Sequence, residues 1–485
     1  MRKFAGVMAA AAVAATALTA TTPTEAEAGQ RRVDNRPNIV IVLLDDMRAD
    51  ELVAMPHATE LIQNEGAIFE NAYSPFPVCC PARATILTGQ YAHNHKVLSN
   101  HFPTGGVAKF DDDSTLATWV DGKRYTTGYV GKYLNEYGTK TEKTYVPPGW
   151  NAWKALAGGV FNYVDFLLNS NGRLVGYDNT YQTVVLGNKS RNFIRQQSNA
   201  GPFVLVTALL APHGQNPPEA DDPEGFVTPA VAPKYRDAYE GTALPQDPSY
   251  NESDVSDKPT AIQANSPITA EETSALQEVY QQRLEAIRSA DDQVRKIVNT
   301  LAESGQLDNT YIVVTSDNGY FLGEHRVRQG KILVYEPSVR VPLLMRGPGI
   351  PSGAVVEQLA GLHDLAPTVL HATGTFGAQT LPLDGRDLLP MVGNDDVAAE
   401  RDLVLEAGPR DKTSDPYRYR AVRTHDGWKY VEYPTGEKEM YDLNADPYEL
   451  ENLAGDPAFA DQQAALDLRL DELKNCAGLE CKRPG

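Results

Sequence analysis

Mostly apolar runs lie at 38–44, 203–210, 311–315 and 341–345, and residues 123–131 hold a short strand candidate with Tyr, Thr and Val. The runs are rich in Val, Ile, Leu and Tyr and lack polar alternation, which is typical of β-strands buried on both faces. From Thr269 to Ser304, apolar residues instead recur at helical spacing with charges between them, which predicts a long amphipathic helix. Strands that alternate with helices predict an α/β fold with a large, mostly parallel central sheet flanked by helices.

The pattern changes after about residue 374. Short alternating stretches predict an antiparallel sheet and are followed by a helix at 460–473, with Leu466, Leu468, Leu470 and Leu473 as its apolar positions. The stretches lie at 417–423, 428–433 and 440–443. We therefore expect a large domain over 29–374 and a smaller C-terminal α+β domain over 375–485. The Pro-, Asp- and Ser-rich span 215–267 predicts a long surface excursion that faces substrate.

The first 28 residues have the pattern of an export signal. Arg2 and Lys3 precede an alanine-rich apolar run, and Ala26-Glu27-Ala28 fits a small-x-small cleavage site. An alanine-rich run that ends at Pro23 is a poor spanning helix, and no other stretch is long enough, so we expect no membrane anchor after cleavage. The sequence thus predicts a secreted or periplasmic protein.

The net charge and the cysteine content limit the classes of binding partner and the cellular compartment. The 485 residues carry a formal net charge of −20, which argues against a nucleic-acid-binding surface. If the substrate is anionic, its attraction must come from local cations or a metal. Cys476 and Cys481 are spaced for a small disulfide loop, which fits an oxidising compartment.

Polar residues lie just past the carboxyl ends of three of the predicted strands: Asp45-Asp46, His213 and Asp317-Asn318. Ligands bind at the carboxyl ends of strands in open α/β sheets, so we expect these residues to lie together. Four oxygen-bearing side chains on two strand ends suit Ca²⁺ or Mg²⁺. Ordinary turn chemistry is the alternative for each pair alone.

A proline-flanked turn at residues 75–81 holds two adjacent cysteines, Cys79 and Cys80. Pro81 suits the first position of a helix. A helix N-terminus with Arg83 beside it would favour an anionic ligand and depress the pKa of a thiol. From these residues alone, Cys79 is a nucleophile, a metal ligand, a disulfide partner or a buried small hydrophobe.

Cys79-x-Pro81-x-Arg83, followed by Leu87-Thr88-Gly89, resembles the signature of the type I sulfatases, formylglycine-dependent enzymes of the alkaline-phosphatase-like superfamily. The resemblance implies that a formylglycine-generating maturation enzyme oxidises Cys79, and not Cys80, to an aldehyde whose hydrate is the nucleophile. It also implies a cation site for Ca²⁺, or Mg²⁺, formed by Asp45, Asp46, Cys79, Asp317 and Asn318.

The resemblance extends in order along the chain to residues that bind sulfate or transfer protons in that family: Arg83, Lys132, His213, His325 and Lys331. Many members have a histidine two residues after the lysine of the Gly-Lys pair, where this chain has Leu134. The stretch from Gly131 to Gly138 instead resembles N-acetylglucosamine-6-sulfatases and heparan-type 6-O-sulfatases, which share the doubled cysteine, His93-Asn94-His95 and the terminal cysteine pair. The departure leaves open which group takes the proton when sulfate is released.

The function implied is a secreted sulfatase that hydrolyses sulfate monoesters, with 6-O-sulfated N-acetylglucosamine or a glycosaminoglycan-like glycan as substrate. Three alternatives stay open: an arylsulfatase of broad specificity, an alkaline-phosphatase-like phosphodiesterase, and an inactive carbohydrate-binding homologue. A cysteine in Cys-x-Pro-x-Arg argues against the phosphodiesterase, since the related phosphatases use Ser or Thr as nucleophile.

Overall fold

The computed structural model describes residues 5–6, 8–9, 34–198, 200–220, 222–409 and 417–484. Apart from residues 5–6 and 8–9, the predicted export signal lies outside the described residues. None of the helices in these ranges is long and apolar enough to cross a membrane.

The strands of the described ranges are, in chain order, β1 (Asn38–Asp45), β2 (Ala67–Phe69), β3 (Ala72–Tyr73), β4 (Thr126–Gly131), β5 (Ala152–Leu156), β6 (Phe166–Ser170), β7 (Arg173–Tyr177), β8 (Phe203–Pro212), β9 (Thr310–Ser316), β10 (Leu343–Arg346), β11 (Ala354–Val356), β12 (Ala360–Gly361), β13 (Leu403–Ala407), β14 (Tyr419–Arg423), β15 (Trp428–Glu432) and β16 (Lys438–Asp442). The α-helices are α1 (Pro56–Ala58), α2 (Cys79–Thr88), α3 (Ala92–His95), α4 (Leu116–Asp121), α5 (Gln182–Gln197), α6 (Thr260–Gln263), α7 (Ala270–Glu303), α8 (Glu336–Val339), α9 (Leu365–Ala372) and α10 (Ala460–Leu473).

A ten-stranded sheet organises the molecule, in the order β11-β2-β10-β9-β1-β8-β4-β5-β6-β7. Its centre, from β9 through β1, β8 and β4 to β5, is parallel throughout. Antiparallel pairs flank this centre, formed by β9 with β10 on one side and by β5, β6 and β7 on the other. The predicted α/β fold with a large, mostly parallel central sheet is confirmed.

Helices cover both faces of the sheet because its central strands are apolar on both faces. Every residue of β1 and β8 is buried. On one face, α5 and α7 pack on each other and on β8. The long predicted helix is α7, which begins after a capping box in which Thr269 and Glu272 satisfy each other's backbone N–H groups. On the other face, α2, α4 and α9 pack together in a second hydrophobic cluster.

The predicted antiparallel sheet is also confirmed, as a four-stranded sheet in the order β13-β14-β15-β16. Helix α10 packs on it through Leu466, Leu470 and Leu473. Leu468 was wrongly expected among these apolar contacts; it is 63% exposed. Cys476 and Cys481 form the expected disulfide. Residues Asn35–Gly485 form one compact unit, and the division near residue 374 stays a prediction.

Several strand boundaries differ from those predicted. Strand β4 begins at Thr126 and not at Lys123, because Arg124 adopts a left-handed backbone conformation in the preceding turn. Strand β10 begins at Leu343, after a proline that cannot donate to the ladder. Strand β14 begins at Tyr419, where its register with β13 starts. Within its described residues, the excursion 215–267 contains one 3₁₀ turn at Pro233–Tyr235, the short helix α6 and no strand.

Candidate active site

Four neighbouring strands of the parallel centre deliver the predicted site residues to one edge of the sheet. Asp45 is the last residue of β1, Lys132 follows β4, His213 follows β8, and Asp317 follows β9. These strands are adjacent in the order β9-β1-β8-β4. Their carboxyl ends therefore meet, as in other open α/β sheets.

Tight backbone geometry fixes two of these residues. Asp46 has a left-handed φ of 69°, and its N–H donates to Asp317 Oδ1 at 3.2 Å. Gly131 has a φ of 115°, and a Cβ at this position would lie 1.8 Å from the carbonyl oxygen of Ala208. Only glycine fits there. The N–H of Lys132 donates to the same carbonyl at 2.9 Å, which ties Lys132 to β8.

Cys79 is the first residue of α2, a helix in which every residue is buried. Pro81 was predicted at the first position of the helix, but it is the third residue of α2. Its missing N–H still costs no hydrogen bond, because the first four N–H groups of a helix have no intrahelical acceptor. Gly89 ends the helix in the left-handed conformation. Cys79 and Cys80 are both free, so the disulfide interpretation of this pair is excluded.

The thiol of Cys79 lies between a cation and a carboxylate. Lys331 Nζ donates to its Sγ at 2.9 Å, and Sγ lies 3.4 Å from Asp45 Oδ1. Burial, and next the neighbouring Asp45, raise the pKa of the Cys79 thiol to about 12. The expected depression of this pKa is therefore wrong, because burial outweighs the helix N-terminus and the nearby lysines.

Arg83, on the first turns of α2, connects the ends of three strands through its guanidinium group. Its Nε donates to Asp317 Oδ2 at 2.8 Å, one Nη donates to Asp45 Oδ2 at 3.1 Å, and the other donates to the carbonyl of Lys132 at 2.6 Å. Lys132 Nζ also contacts Asp45 Oδ2. Lys331 Nζ contacts Asp46 Oδ1. Three carboxylates thus face three cations within one buried cluster.

The titration of the cluster follows from burial and charge together. Burial alone would raise the pKa of Asp45, but Lys132, His213, Arg83 and Lys331 hold it far below its usual range. Burial and the charge on Asp45 raise the pKa of Asp317 to about 6, despite Arg83. Burial lowers the pKa of His213 to about 4. His213 is therefore neutral near pH 7 in this arrangement.

The arrangement places Arg83, Lys132 and Lys331 around the strand ends beside the buried Cys79, and such cations suit the binding of an anion. The sulfatase family model matches residues 37–375, and the model for the C-terminal part of N-sulphoglucosamine sulphohydrolase matches residues 323–476. The chain belongs to the sulfatase family. It is accordingly a sulfuric ester hydrolase.

Relatives span nearly the whole sulfatase chain. Human N-acetylglucosamine-6-sulfatase is 32% identical over 497 residues, which cover 93% of this chain and 86% of the relative. The same enzyme of Capra hircus is 32% identical over 504 residues, covering 94% and 87%. An arylsulfatase of Volvox carteri is 33% identical over 501 residues, covering 93% and 76%.

Solved structures share the fold of this sulfatase. A structure in complex with its substrate D-glucosamine-2-N,6-O-disulfate superposes with a TM-score of 0.75 at 23% identity, covering 92% of this chain and 98% of that one. The phosphonate monoester hydrolase of Agrobacterium radiobacter gives a TM-score of 0.66 at 23% identity, covering 90% and 95%. At these identities the likeness concerns the fold.

Donor atoms that could hold a metal ion converge around Cys79 in this sulfatase. One ligand atom each from Asp45, Asp46, Cys79 and His213 lies within 4.8 Å of the others. Asn318 Nδ2 donates to Asp46 Oδ1 at 2.7 Å, whereas its Oδ1 is buried with no hydrogen-bond partner among the described residues. A buried carbonyl oxygen left over beside carboxylates is the oxygen-rich donor set that Ca²⁺ and Mg²⁺ prefer.

His325 takes a different place from the other predicted residues. It is fully buried, its Nδ1 lies 2.6 Å from Glu252 Oε2, and its ring lies against Tyr335. Its backbone N–H donates to Ser249. The contacts of its Nδ1 and its backbone N–H run to the 215–267 excursion, and its Nε2 is buried with no hydrogen-bond partner among the described residues. Direct participation of His325 stays a prediction.

Phe161 is a site neighbour that the sequence did not reveal. Its ring stacks on His213 at 4.6 Å between ring centres, and Lys132 Nζ lies 4.9 Å from its centre. Nothing in the local sequence separates it from other loop aromatics. Leu134, the departure from the family pattern, is buried in the core and offers no proton-transfer group.

Proposed function

We propose that this sulfatase hydrolyses 6-O-sulfate esters of N-acetylglucosamine, or of related residues in glycosaminoglycan-like glycans. The observation that carries the proposal is the contact of position 79 with Lys331, within a cluster that also holds Arg83 and Lys132. The relatives named N-acetylglucosamine-6-sulfatase, and the likeness to a structure containing a 6-O-sulfated glucosamine, support the substrate class.

The nucleophile in this proposal derives from Cys79. A maturation enzyme oxidises Cys79 to formylglycine, whose hydrate supplies one hydroxyl for attack on sulfur and a second for the later release of sulfate. In the structure, Cys79 Sγ stands in for the oxygen of that side chain. Lys331 is in contact with this position, and Asp45 lies beside it.

The chain's own residues then divide the remaining work. Lys132 and Lys331 neutralise the anionic sulfuryl group, and Arg83 holds the carboxylates Asp45 and Asp317 in place. Either Lys331 protonates the departing alcohol, or His213 does so after its Nε2 has taken up a proton. The ring of His213 is oriented because its Nδ1 lies 2.7 Å from the carbonyl of Gly214, which leaves Nε2 as the nitrogen near Asp46.

A divalent cation completes the site in this proposal. Asp45, Asp46, Asp317 and Asn318 would hold Ca²⁺, or Mg²⁺, next to position 79. When bound there, such a cation would supply positive charge to offset the charge that the sulfuryl oxygens gain as the ester bond breaks.

Cys79→Ser tests the nucleophile. A serine at position 79 has one hydroxyl, so we expect it to accept a sulfuryl group once and not to release it. The measurements are sulfate release over many turnovers and the mass of the peptide that contains position 79. Cys80→Ser, one residue away and equally buried, is the matched control and should retain turnover. Sustained turnover by the Cys79→Ser variant would refute the assignment.

The substrate class is tested separately. We expect faster sulfate release from 6-O-sulfated N-acetylglucosamine than from an aryl sulfate of equal concentration. The likeness to the Volvox arylsulfatase keeps a broad arylsulfatase as the second candidate. An exclusive preference for the aryl ester would establish that candidate instead. Cysteine found unmodified at position 79 of the secreted protein, with no turnover, would favour the inactive homologue.

Export is part of the same proposal. The predicted signal peptide, the Cys476–Cys481 disulfide and the relatives named extracellular sulfatases all support it. N-terminal sequencing of protein recovered from the medium or periplasm should begin near residue 29, and retention of the first 28 residues would contradict the proposal.

A further inference from the structure

A cleft of about 350 Å³ opens on the four-stranded sheet, outside the cluster around Cys79. It lies where β14 begins and β15 ends, beside the C-terminal end of α10. Its volume is within the range of small-molecule sites. Its walls combine aromatic rings with charged groups, namely Tyr417, Tyr419, Tyr433, Arg420, Glu432 and Lys474.

The charged groups of this cleft are only partly matched. The Arg420 guanidinium lies 3.8 Å above the centre of the Tyr417 ring and donates one hydrogen bond to Asn475 at 3.2 Å. Arg420 Nε is buried and has no hydrogen-bond partner among the described residues. Lys474 contacts Asp471 and lies 3.8 Å from Glu432. The cleft wall itself thus carries two cations and one carboxylate, while Asp471 lies beside Lys474 and Glu406 lies opposite Arg420 in the β13–β14 ladder.

The floor of the cleft adjoins the segments that carry the active-site residues. The hydroxyl of Tyr419 donates to the carbonyl of Ile332 at 2.8 Å, and Ile332 directly follows Lys331. Tyr433 packs in the same hydrophobic cluster as Val78, the residue before Cys79. Two residues that line the cleft therefore also pack on the segments next to Lys331 and position 79.

We propose that this cleft is a second sugar subsite, which binds an anionic residue of the same glycan chain whose sulfate ester lies at Cys79. The inference rests on the proposed function, because it takes a sulfated glycan as the substrate. Tyrosine rings offer flat apolar faces to a sugar ring, and a guanidinium binds a sulfate or a carboxylate through two parallel N–H groups.

The overall charge of the chain makes such a subsite useful. A net charge of −20 repels a polyanionic glycan at long range. Attraction must then come from protein cations that contact the glycan directly. In this proposal, Arg420 and Lys474 provide such contacts to a sugar other than the one whose sulfate ester is cleaved.

Arg420→Ala tests the proposal through a ratio of two substrates. The ratio compares kcat/KM for a 6-O-sulfated, N-acetylglucosamine-containing tetrasaccharide with kcat/KM for the 6-O-sulfated monosaccharide. Loss of one charge-assisted contact should lower this ratio about tenfold. Lys474→Ala should lower it in the same direction, and Arg420→Lys should restore part of it. Arg195→Ala, a half-exposed arginine on α5, is the matched control. An unchanged ratio in both alanine variants overturns the proposal.

Binding separates this inference from the proposed function. Calorimetry on the Cys79→Ala protein would use three tetrasaccharides: one sulfated, one with uronate carboxylates and no sulfate, and one neutral. If adding Arg420→Ala weakens the binding of an anionic tetrasaccharide, the subsite is supported even if no 6-O-sulfate is ever released. Whichever of the sulfated and the uronate tetrasaccharides binds more tightly identifies the anionic group that the subsite binds. Equal binding of the neutral and anionic tetrasaccharides overturns it, whatever the turnover.

Discussion

Arg83→Met removes the cation that joins two strand ends while keeping much of the apolar side chain. Arg83 is fully buried and donates to Asp317, to Asp45 and to the carbonyl of Lys132. Asp45 retains its contact with Lys132 after the substitution. Among the described residues, the hydrogen bond that the Asp317 carboxylate retains is the one from the N–H of Asp46 at 3.2 Å. The damage should therefore concentrate on the carboxylate of Asp317.

The expected loss follows from leaving that carboxylate buried without its cation. Removing one partner of a buried ion pair costs about 3–5 kcal/mol. We expect the free energy of unfolding to fall by about 4 kcal/mol, a large share of the ~5–15 kcal/mol of a typical domain. Urea unfolding in the presence of a chelator at pH 7.5 measures this loss. Arg195→Met, at the half-exposed position on α5, should stay within about 0.5 kcal/mol of the wild type.

The loss should also depend on pH. The pKa of Asp317 in the folded protein is about 6, against an ordinary value of 3.8. A carboxyl whose folded pKa is raised binds its proton more tightly when folded, so acidification favours folding between the folded and unfolded pKa values. Without Arg83 the folded pKa rises further, because burial is no longer opposed by that cation. The deficit of the Arg83→Met variant should therefore shrink as the pH falls from 7.5 towards 5.

A double variant decides whether the carboxylate is the cause. Adding Asp317→Asn to Arg83→Met replaces the orphaned charge with a neutral amide of similar size. The double variant should recover most of the loss, which gives a coupling energy well above the ~0.5 kcal/mol expected for independent sites. Additive losses, or a loss below about 1 kcal/mol for Arg83→Met alone, would show that the reasoning about this cluster is wrong.

Two further predictions concern the strand ends and the cation. Gly131→Ala should lower the free energy of unfolding by at least ~2 kcal/mol and reduce kcat, because a Cβ there meets the Ala208 carbonyl that anchors Lys132. Gly201 has a similar φ and open space around it. Thermal unfolding of Gly201→Ala therefore measures the backbone strain without the clash. Chelation should abolish sulfate release and Ca²⁺ should restore it, and turnover that survives exhaustive chelation would exclude the cation from the mechanism.

The sequence predicted the site well where chain geometry dictates it. Asp45, His213 and Asp317 each follow an apolar run, and parallel strands bring such positions to one edge without any knowledge of packing. The order of the runs along the chain did not reveal that β1 lies between β8 and β9, because strand order in a sheet depends on long-range packing. The prediction of one edge held regardless of that order.

Pairings inside the site could not be predicted because they depend on burial. Arg83 beside Cys79 suggested a low thiol pKa, yet Arg83 is committed to Asp45 and Asp317, and burial raises the pKa of Cys79 to about 12. His325 carries a family-like sequence context but turns towards Glu252. A sequence motif identifies residues that lie close together along the chain, whereas three-dimensional packing decides which side chains are in contact.

The balance of charge explains why the cluster suits an anionic ester. Asp45, Asp46 and Asp317 are matched by Arg83, Lys132 and Lys331. A buried cluster with no net charge avoids the large penalty of burying unpaired ions. A divalent cation would shift the cluster to net positive charge, and an anionic sulfate ester would then offset part of that charge. In the proposed function, cation and substrate would therefore each bind more favourably in the presence of the other.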